Sequence, residues 1–174
     1  MLLQFIKNIV SRLNIGQDAA HIGLVTFSST ATCQISFKDR QNQDSLMHAL
    51  GRVVYNRGGT DTAEALRFAR LNSFTEKNGA RPEAAKIAIV ITDGISYQPQ
   101  QTAKEAKNLR DSGATVFAIG MNNAKIMELN AIASDPDASH VFQSSNFDVL
   151  DNIKDKLTNE VCKCKSNLAK LKKN

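Results

Sequence analysis

Two apolar stretches, Lys86–Thr92 (KIAIVIT) and Ala114–Met121 (ATVFAIGM), constrain this chain more than any other feature. A strand with one face in water alternates apolar and polar residues, whereas a strand covered on both faces does not. Both stretches therefore read as strands with helices above and below them. Residues 99–112 between them have helical spacing, and a strand–helix–strand unit joins parallel neighbours by a right-handed crossover. The rest of the chain alternates in the same way. Helices are predicted over 2–14, 42–54, 60–74, 123–134 and 146–161, the helix over 123–134 capped by Asn122 or Asn123. Strands are predicted over 21–27, 32–37 and 140–143. The short Ser28–Ala31 turn makes 21–27 and 32–37 a hairpin, hence an antiparallel pair. The resulting fold class is α/β, doubly wound, with a mostly parallel central sheet, one antiparallel edge strand and helices on both faces. One domain over 1–161 and a basic, cysteine-containing tail over 162–174 are expected.

The charge distribution narrows the partners. The net charge is +5, and residues 152–174 hold seven lysines against Asp155 and Glu160, so the tail accounts for all of it. A nucleic-acid surface wants basic residues on the fold itself with aromatics among them. The tail has no aromatic beyond Phe147, so it reads as a solvated end and nucleic acid is not an expected partner. No apolar run approaches the roughly 20 residues of a membrane span. The N-terminal stretch lacks a basic leader region and a small-residue cleavage site, so no signal peptide is read in this chain. Leu2, Ile6, Ile9, Val10 and Leu13 instead share one face of an amphipathic helix.

Of the three cysteines, Cys33 falls in a strand and reads as a small buried apolar residue. Cys162 and Cys164 form a C-x-C pair, which is poor zinc spacing. They are disulfide candidates, directed to something outside this chain. Leu168 and Leu171 follow at a spacing of three, as at the start of a coiled coil, and a homo-oligomer through the tail is one expectation.

In open α/β sheets, ligands bind beyond the carboxyl ends of the strands. There the buried strand 86–92 ends on Asp93, with Gly94 expected to let the backbone turn tightly. The second stretch of interest is RGGTDTAEAL (57–66), in which a Gly-Gly loop runs into Thr60. Thr60 also suits a helix N-cap, with Glu64 close to a capping-box position. Neither phosphate-binding glycine pattern occurs. His21, His48 and His140 form no triad pattern with a Ser or Cys. Oxygen ligation of a hard divalent cation fits best, because Asp93 and Thr60 offer a carboxylate and a hydroxyl.

GGTDTAEAL followed by KIAIVITDG, with 33 residues from Thr60 to Asp93, resembles the von Willebrand factor type A domain. IGLVTFSSTATCQISF is similar to its second strand and antiparallel edge strand. LRDSGATVFAIGM and VFQSSNFDVLDNIKDKL are similar to the elements after its third loop. The resemblance covers roughly residues 1–161 and implies a Rossmann-like sheet with a metal-ion-dependent adhesion site (MIDAS). In that family the site takes an Asp-x-Ser-x-Ser after the first strand, a Thr from a second loop and an Asp from a third. Thr60 and Asp93 match the last two. The first strand and its loop have no counterpart in residues 1–174, so two of five positions are filled. That strand lies mid-sheet in the family, and its neighbours here are expected to face a gap. Unmade buried hydrogen bonds cost about 1–3 kcal/mol each, against a domain stability of about 5–15 kcal/mol. Either the polypeptide continues upstream or the strand comes from elsewhere.

What the resemblance implies is a non-enzymatic adhesion module of the extracellular matrix branch, matrilin-like or collagen-VI-like. It would be secreted and would bind matrix proteins such as collagen. The cation would be Mg2+, or Mn2+ or Ca2+, held weakly by Thr60 and Asp93, with Gly59, Asp61, Gly94 and Ser96 at the partner-binding rim. In such domains a cysteine after the last helix commonly pairs with one ahead of the first strand. The alternative is a structural matrix-assembly domain without a working metal site, assembling through the tail cysteines. A Mg2+-dependent hydrolase would need a second carboxylate loop near Asp93. The nearest acids in sequence, Glu83 and Glu105, fall at the wrong end of a strand and on a helix.

Overall fold

In the computed structural model, which describes residues 2–54, 58–144 and Asn159, the first apolar stretch pairs with the second over its full length. β3 (Lys86–Thr92) runs parallel to β4 (Ala114–Met121), with Lys86 opposite Ala114 and Thr92 opposite Gly120. β5 (Val141–Ser144) extends the sheet in parallel on the far side of β4. The crossover from β3 to β4 is α4 (Pro99–Asp111), which carries its proline in the first turn, where no backbone donor is lost.

Alternation along β4 divides the core. Phe117, Ile119 and Met121 point to one face and meet Phe5 and Ile9 of α1 (Leu2–Val10). Val116 and Ala118 point to the other and meet Leu66 of α3 (Thr62–Phe68), Leu109 of α4, and Leu129 and Ile132 of α5 (Ile126–Ile132). Fully burying a side chain of this kind stabilises the fold by about 1.5–3 kcal/mol. Ahead of β5, α6 (Asp137–His140) places His140 against Phe117, ring centroids 4.8 Å apart.

β1 (Leu24–Phe27) and β2 (Ala31–Ile35) form the predicted antiparallel hairpin, and Ser28 N–H closes its turn on the Thr30 carbonyl at 3.0 Å. Behind it Ile35 packs with Val10 of α1 and with Leu46 and Leu50 of α2 (Gln43–Gly51). The helices and the parallel sheet follow the α/β reading. The strand orders are β1–β2 and β3–β4–β5, and among the described residues no strand bridges β1 and β3, as the expected gap requires. The gap falls where the family resemblance puts its first strand.

Local differences have local causes. The strand predicted over 21–27 shortens to Leu24–Phe27 because the Gln41 side-chain amide binds both the N–H of Ile22 (2.7 Å) and its carbonyl (3.2 Å). The helix predicted from residue 60 starts at Thr62, capped by Asp61 and not by Thr60, and widens to a π-helical turn over Ala69–Ser73. Neither Asn122 nor Asn123 caps α5. Its N-cap position is Lys125, while Asn122 takes a left-handed φ of 47° and donates its N–H to the Ser144 carbonyl at 3.2 Å. Cys33 is exposed, on a strand whose burial rises only at its end, Ile35. Partial desolvation, and then the Asp39 carboxylate, still hold its thiol pKa above the ordinary value. The helix predicted over 146–161, apart from Asn159, and Cys162, Cys164, Leu168 and Leu171 lie outside the described residues.

The π-helical turn is tied to α4 by Arg70, whose Nη2 donates to Glu105 Oε2 at 3.1 Å, with the Glu105 side chain 8% exposed. Replacing Glu105 by Ala strands the Arg70 guanidinium and should lower stability by about 1–3 kcal/mol in denaturant unfolding. Lys107→Ala, which removes the exposed pair with Asp111, should change it by less than about 1 kcal/mol.

Candidate metal centre

The carboxyl end of β3 is built from the inside outwards. Thr92 is buried, and its hydroxyl turns the chain by contacting Gly94, donating to the carbonyl at 3.3 Å and accepting from N–H at 3.4 Å. That short turn leaves Asp93 exposed beyond the last paired position. Asp93 makes no hydrogen bond or ion pair with the described residues.

The following loop is clamped on three sides. Ser96 is buried, its hydroxyl accepting from Thr102 of α4 at 2.9 Å, and its N–H donating to both carboxylate oxygens of Glu128 on α5 at 3.2 and 3.3 Å. Tyr97 N–H donates to the Thr60 carbonyl at 3.0 Å. This last bond joins the third loop to the second.

The second loop is held from its other side by the β1–β2 turn. Asp61 N–H donates to the Ser28 carbonyl at 2.7 Å, and Gly59 N–H to the Ser29 hydroxyl at 3.4 Å. Asp61 Oδ1 then accepts from Glu64 N–H at 2.9 Å and starts α3. With Asp61 as the cap, the Thr60 hydroxyl is left for other work. It lies 3.3 Å from where a β-carbon on Gly94 would stand. Thr60 and Asp93 both line the same cavity.

Two glycines are explained by this approach. Gly94 has no left-handed φ; its value is the room it leaves for the Thr60 hydroxyl, and the tight turn anticipated from the sequence comes from the Thr92 side chain. A β-carbon on Gly59 would fall 1.4 Å from the Tyr97 hydroxyl oxygen, so Gly59 is the seat for that ring.

Of the expected rim residues, Gly59, Asp61 and Gly94 lie in these loops, with the Asp61 carboxylate engaged in capping. Ser96 is only 5% exposed and belongs to the loop's support. The exposed large apolar residues here are Ile95 and Tyr97, and across the Ser96–Glu128 contact Ile126 and Met127. Glu128, Thr102 and Tyr97 were not singled out from the sequence. Glu128 lies 32 residues from Ser96, and no spacing announces that contact.

As a donor set, one hydroxyl and one carboxylate suit a hard divalent cation. They supply two of the roughly six oxygens such an ion takes, so water and partner oxygens have to complete the shell. Among the described residues no three His, Cys, Asp or Glu side chains gather as a metal cluster. No described helix is long and apolar enough to cross a membrane.

Helices on both faces of a parallel sheet define a doubly wound α/β domain. The family model for the von Willebrand factor type A domain matches residues 1–156, and the chain belongs to that family. Matrilin-1 of Gallus gallus is 36% identical over 162 residues, 93% of this chain and 32% of that protein. The collagen alpha-1(XII) chain of Notophthalmus viridescens is 35% identical, the match covering 91% of this chain and 17% of the collagen. The chain therefore spans about a third or less of these relatives. Among solved structures, proximal thread matrix protein 1 from the mussel byssus, with a zinc-occupied MIDAS motif, superposes with a TM-score of 0.83 at 32% identity. That match covers 92% of this chain and 40% of the mussel chain.

The clamp on the third loop can be tested alone. Glu128→Ala removes the acceptor for a buried N–H, and amide hydrogen exchange at Ser96 should accelerate about tenfold, with β4 amides unaffected.

Proposed function

We propose that this chain is a non-enzymatic adhesion module of the extracellular matrix, binding a matrix protein such as collagen through a divalent cation held by Thr60 and Asp93. The observation that carries this reading is the Thr60 hydroxyl lying beside Gly94, next to an exposed Asp93 that has no hydrogen bond or ion pair among the described residues, where the second and third loops join. Family membership, the matrilin and collagen relatives, and the metal-bearing mussel neighbour support it.

The chemistry is electrostatic. A cation held by one carboxylate and one neutral hydroxyl keeps much of its charge, and an acidic side chain of the partner would enter its shell as a further ligand. Ile95, Tyr97, Ile126 and Met127 supply exposed apolar surface around that point, which a bound protein would cover. Glu105, one of the two acids weighed for a hydrolytic site, is committed to Arg70. Secretion into the matrix belongs to the same reading. With two protein ligands, Mg2+, Mn2+ or Ca2+ is held weakly, in the millimolar range or about 4 kcal/mol.

Calorimetry on the 174-residue chain should show no tight stoichiometric Mg2+ uptake. In a solid-phase assay, binding to immobilised collagen should require Mg2+ or Mn2+ and be reversed by EDTA. Thr60→Ala and Asp93→Ala should each weaken it about tenfold or more, the loss of a charge-assisted contact. EDTA-insensitive binding, unchanged in both variants, overturns the cation mechanism and favours the assembly role through Cys162 and Cys164.

A further inference from the structure

Asn78–Gly79 is the one Asn-Gly pair in the chain, and the fold makes use of both residues. Gly79 ends the short 3₁₀ turn Glu76–Asn78 with a left-handed φ of 87°, a conformation that favours glycine. A β-carbon there would stand 2.7 Å from the Lys38 nitrogen and 2.8 Å from the Phe37 carbonyl carbon, too close for any side chain. Asn78 ties the turn to two neighbours. Its Nδ2 donates to the Asn72 carbonyl in the π-helical turn at 2.8 Å, and its own carbonyl accepts from the Ser36 hydroxyl, just past β2, at 3.2 Å.

The same pair carries a latent reaction. The backbone nitrogen after an asparagine can attack that asparagine's Cγ, and glycine, having no β-carbon, obstructs the attack least. The bond from the Gly79 nitrogen to Asn78 Cγ forms and the Cγ–Nδ2 bond breaks. The displaced nitrogen leaves as ammonia, taking up through solvent the proton that the Gly79 N–H gives up. Water then opens the resulting succinimide at either carbonyl, giving aspartate or isoaspartate. Nothing is oxidised or reduced, and water is the only co-reactant.

The closed turn restrains both reactants. The Gly79 N–H donates to the Glu76 carbonyl at 2.9 Å, and the Asn78 side-chain amide is turned to Asn72 at 2.8 Å. The N–H groups of Asn78 and Ala80 both donate to the Thr75 carbonyl, at 2.9 and 3.1 Å. Reaction therefore waits on local opening. The turn Glu76–Asn78 contains no buried residue, and segments with few buried contacts open at far lower free energy than the core. The product does not fit the closed turn. A carboxylate accepts hydrogen bonds and donates none, and it would face the Asn72 carbonyl, which already accepts from the Thr75 hydroxyl at 2.7 Å. Isoaspartate also adds a methylene group to the backbone beside a glycine packed on Phe37 and Lys38.

We propose that Asn78 is a covalent modification site. Spontaneous deamidation through a succinimide with Gly79, gated by opening of the 76–79 turn, releases that turn from Asn72 and Ser36 and lowers the net charge of +5 by one. The proposal is independent of the cation site.

The test is peptide mapping by mass spectrometry on the 174-residue chain incubated in neutral buffer. Aspartate and isoaspartate should arise at position 78 before any other asparagine is modified. The rate should be about tenfold or more lower in the folded chain than in the chain unfolded by denaturant. Below the unfolding transition it should rise with denaturant in step with amide exchange at Gly79. Ser36→Ala removes one tether and should speed the reaction several-fold with β4 amide exchange unaffected, whereas Asn78→Gln should abolish it. In the modified chain, amide exchange over 76–80 should accelerate about tenfold while β4 stays protected. Equal rates in the folded and unfolded chains overturn the gating, and faster modification at another asparagine overturns the site. A modified chain whose 76–80 amides exchange as before overturns the release.

Discussion

The parallel pairing of β3 with β4 under two helical layers is the constraint on which everything else rests. Seven consecutive residue pairs fix the register, and register fixes which side chains enter which layer. Phe117, Ile119 and Met121 go to α1, while Val116 and Ala118 go to α3, α4 and α5. The same pairing decides where β3 stops. Thr92 is the last residue in the ladder, and the carboxylate after it emerges at the sheet's rim because nothing beyond Thr92 is paired.

From that rim the site is assembled by contacts of long sequence separation. The β1–β2 turn holds the second loop through Ser28 and Ser29, and the second loop meets the third through Thr60 and Tyr97. Helices α4 and α5 fix the third loop from behind through Thr102 and Glu128. The carboxylate of Asp61 is spent on capping α3, which frees the neighbouring threonine hydroxyl. One acid is thus structural, whereas Asp93 is exposed and makes no hydrogen bond or ion pair with the described residues.

Much of this was legible in the sequence because apolar periodicity reports burial directly. The strands at 86–92 and 114–121 and the helix at 99–111 lie where the pattern puts them, within a residue. Thr60 and Asp93 were legible as a pair through family resemblance; their local sequence fits a cap and a turn equally well. What escaped was decided by contacts the pattern cannot carry. Gln41 ended the first strand early by taking over the backbone of Ile22. Asp61 displaced Thr60 as the cap because its carboxylate reaches Glu64 N–H. Cys33 reads as buried from its place in a strand, but β2 buries only its end residue, Ile35. The Ser96–Glu128 contact has no sequence signature, since the two meet only after α4 and β4 have folded between them.

The central claim is that the Thr60 hydroxyl and the Asp93 carboxylate act on one cation. Manganese gives the most direct reading, because it broadens nearby amide resonances through space. As Mn2+ is titrated into the isotopically labelled chain, signals from 59–61 and 93–97 should broaden together and before any others. Broadening of one loop without the other, or first at acidic residues remote from both, would contradict the account.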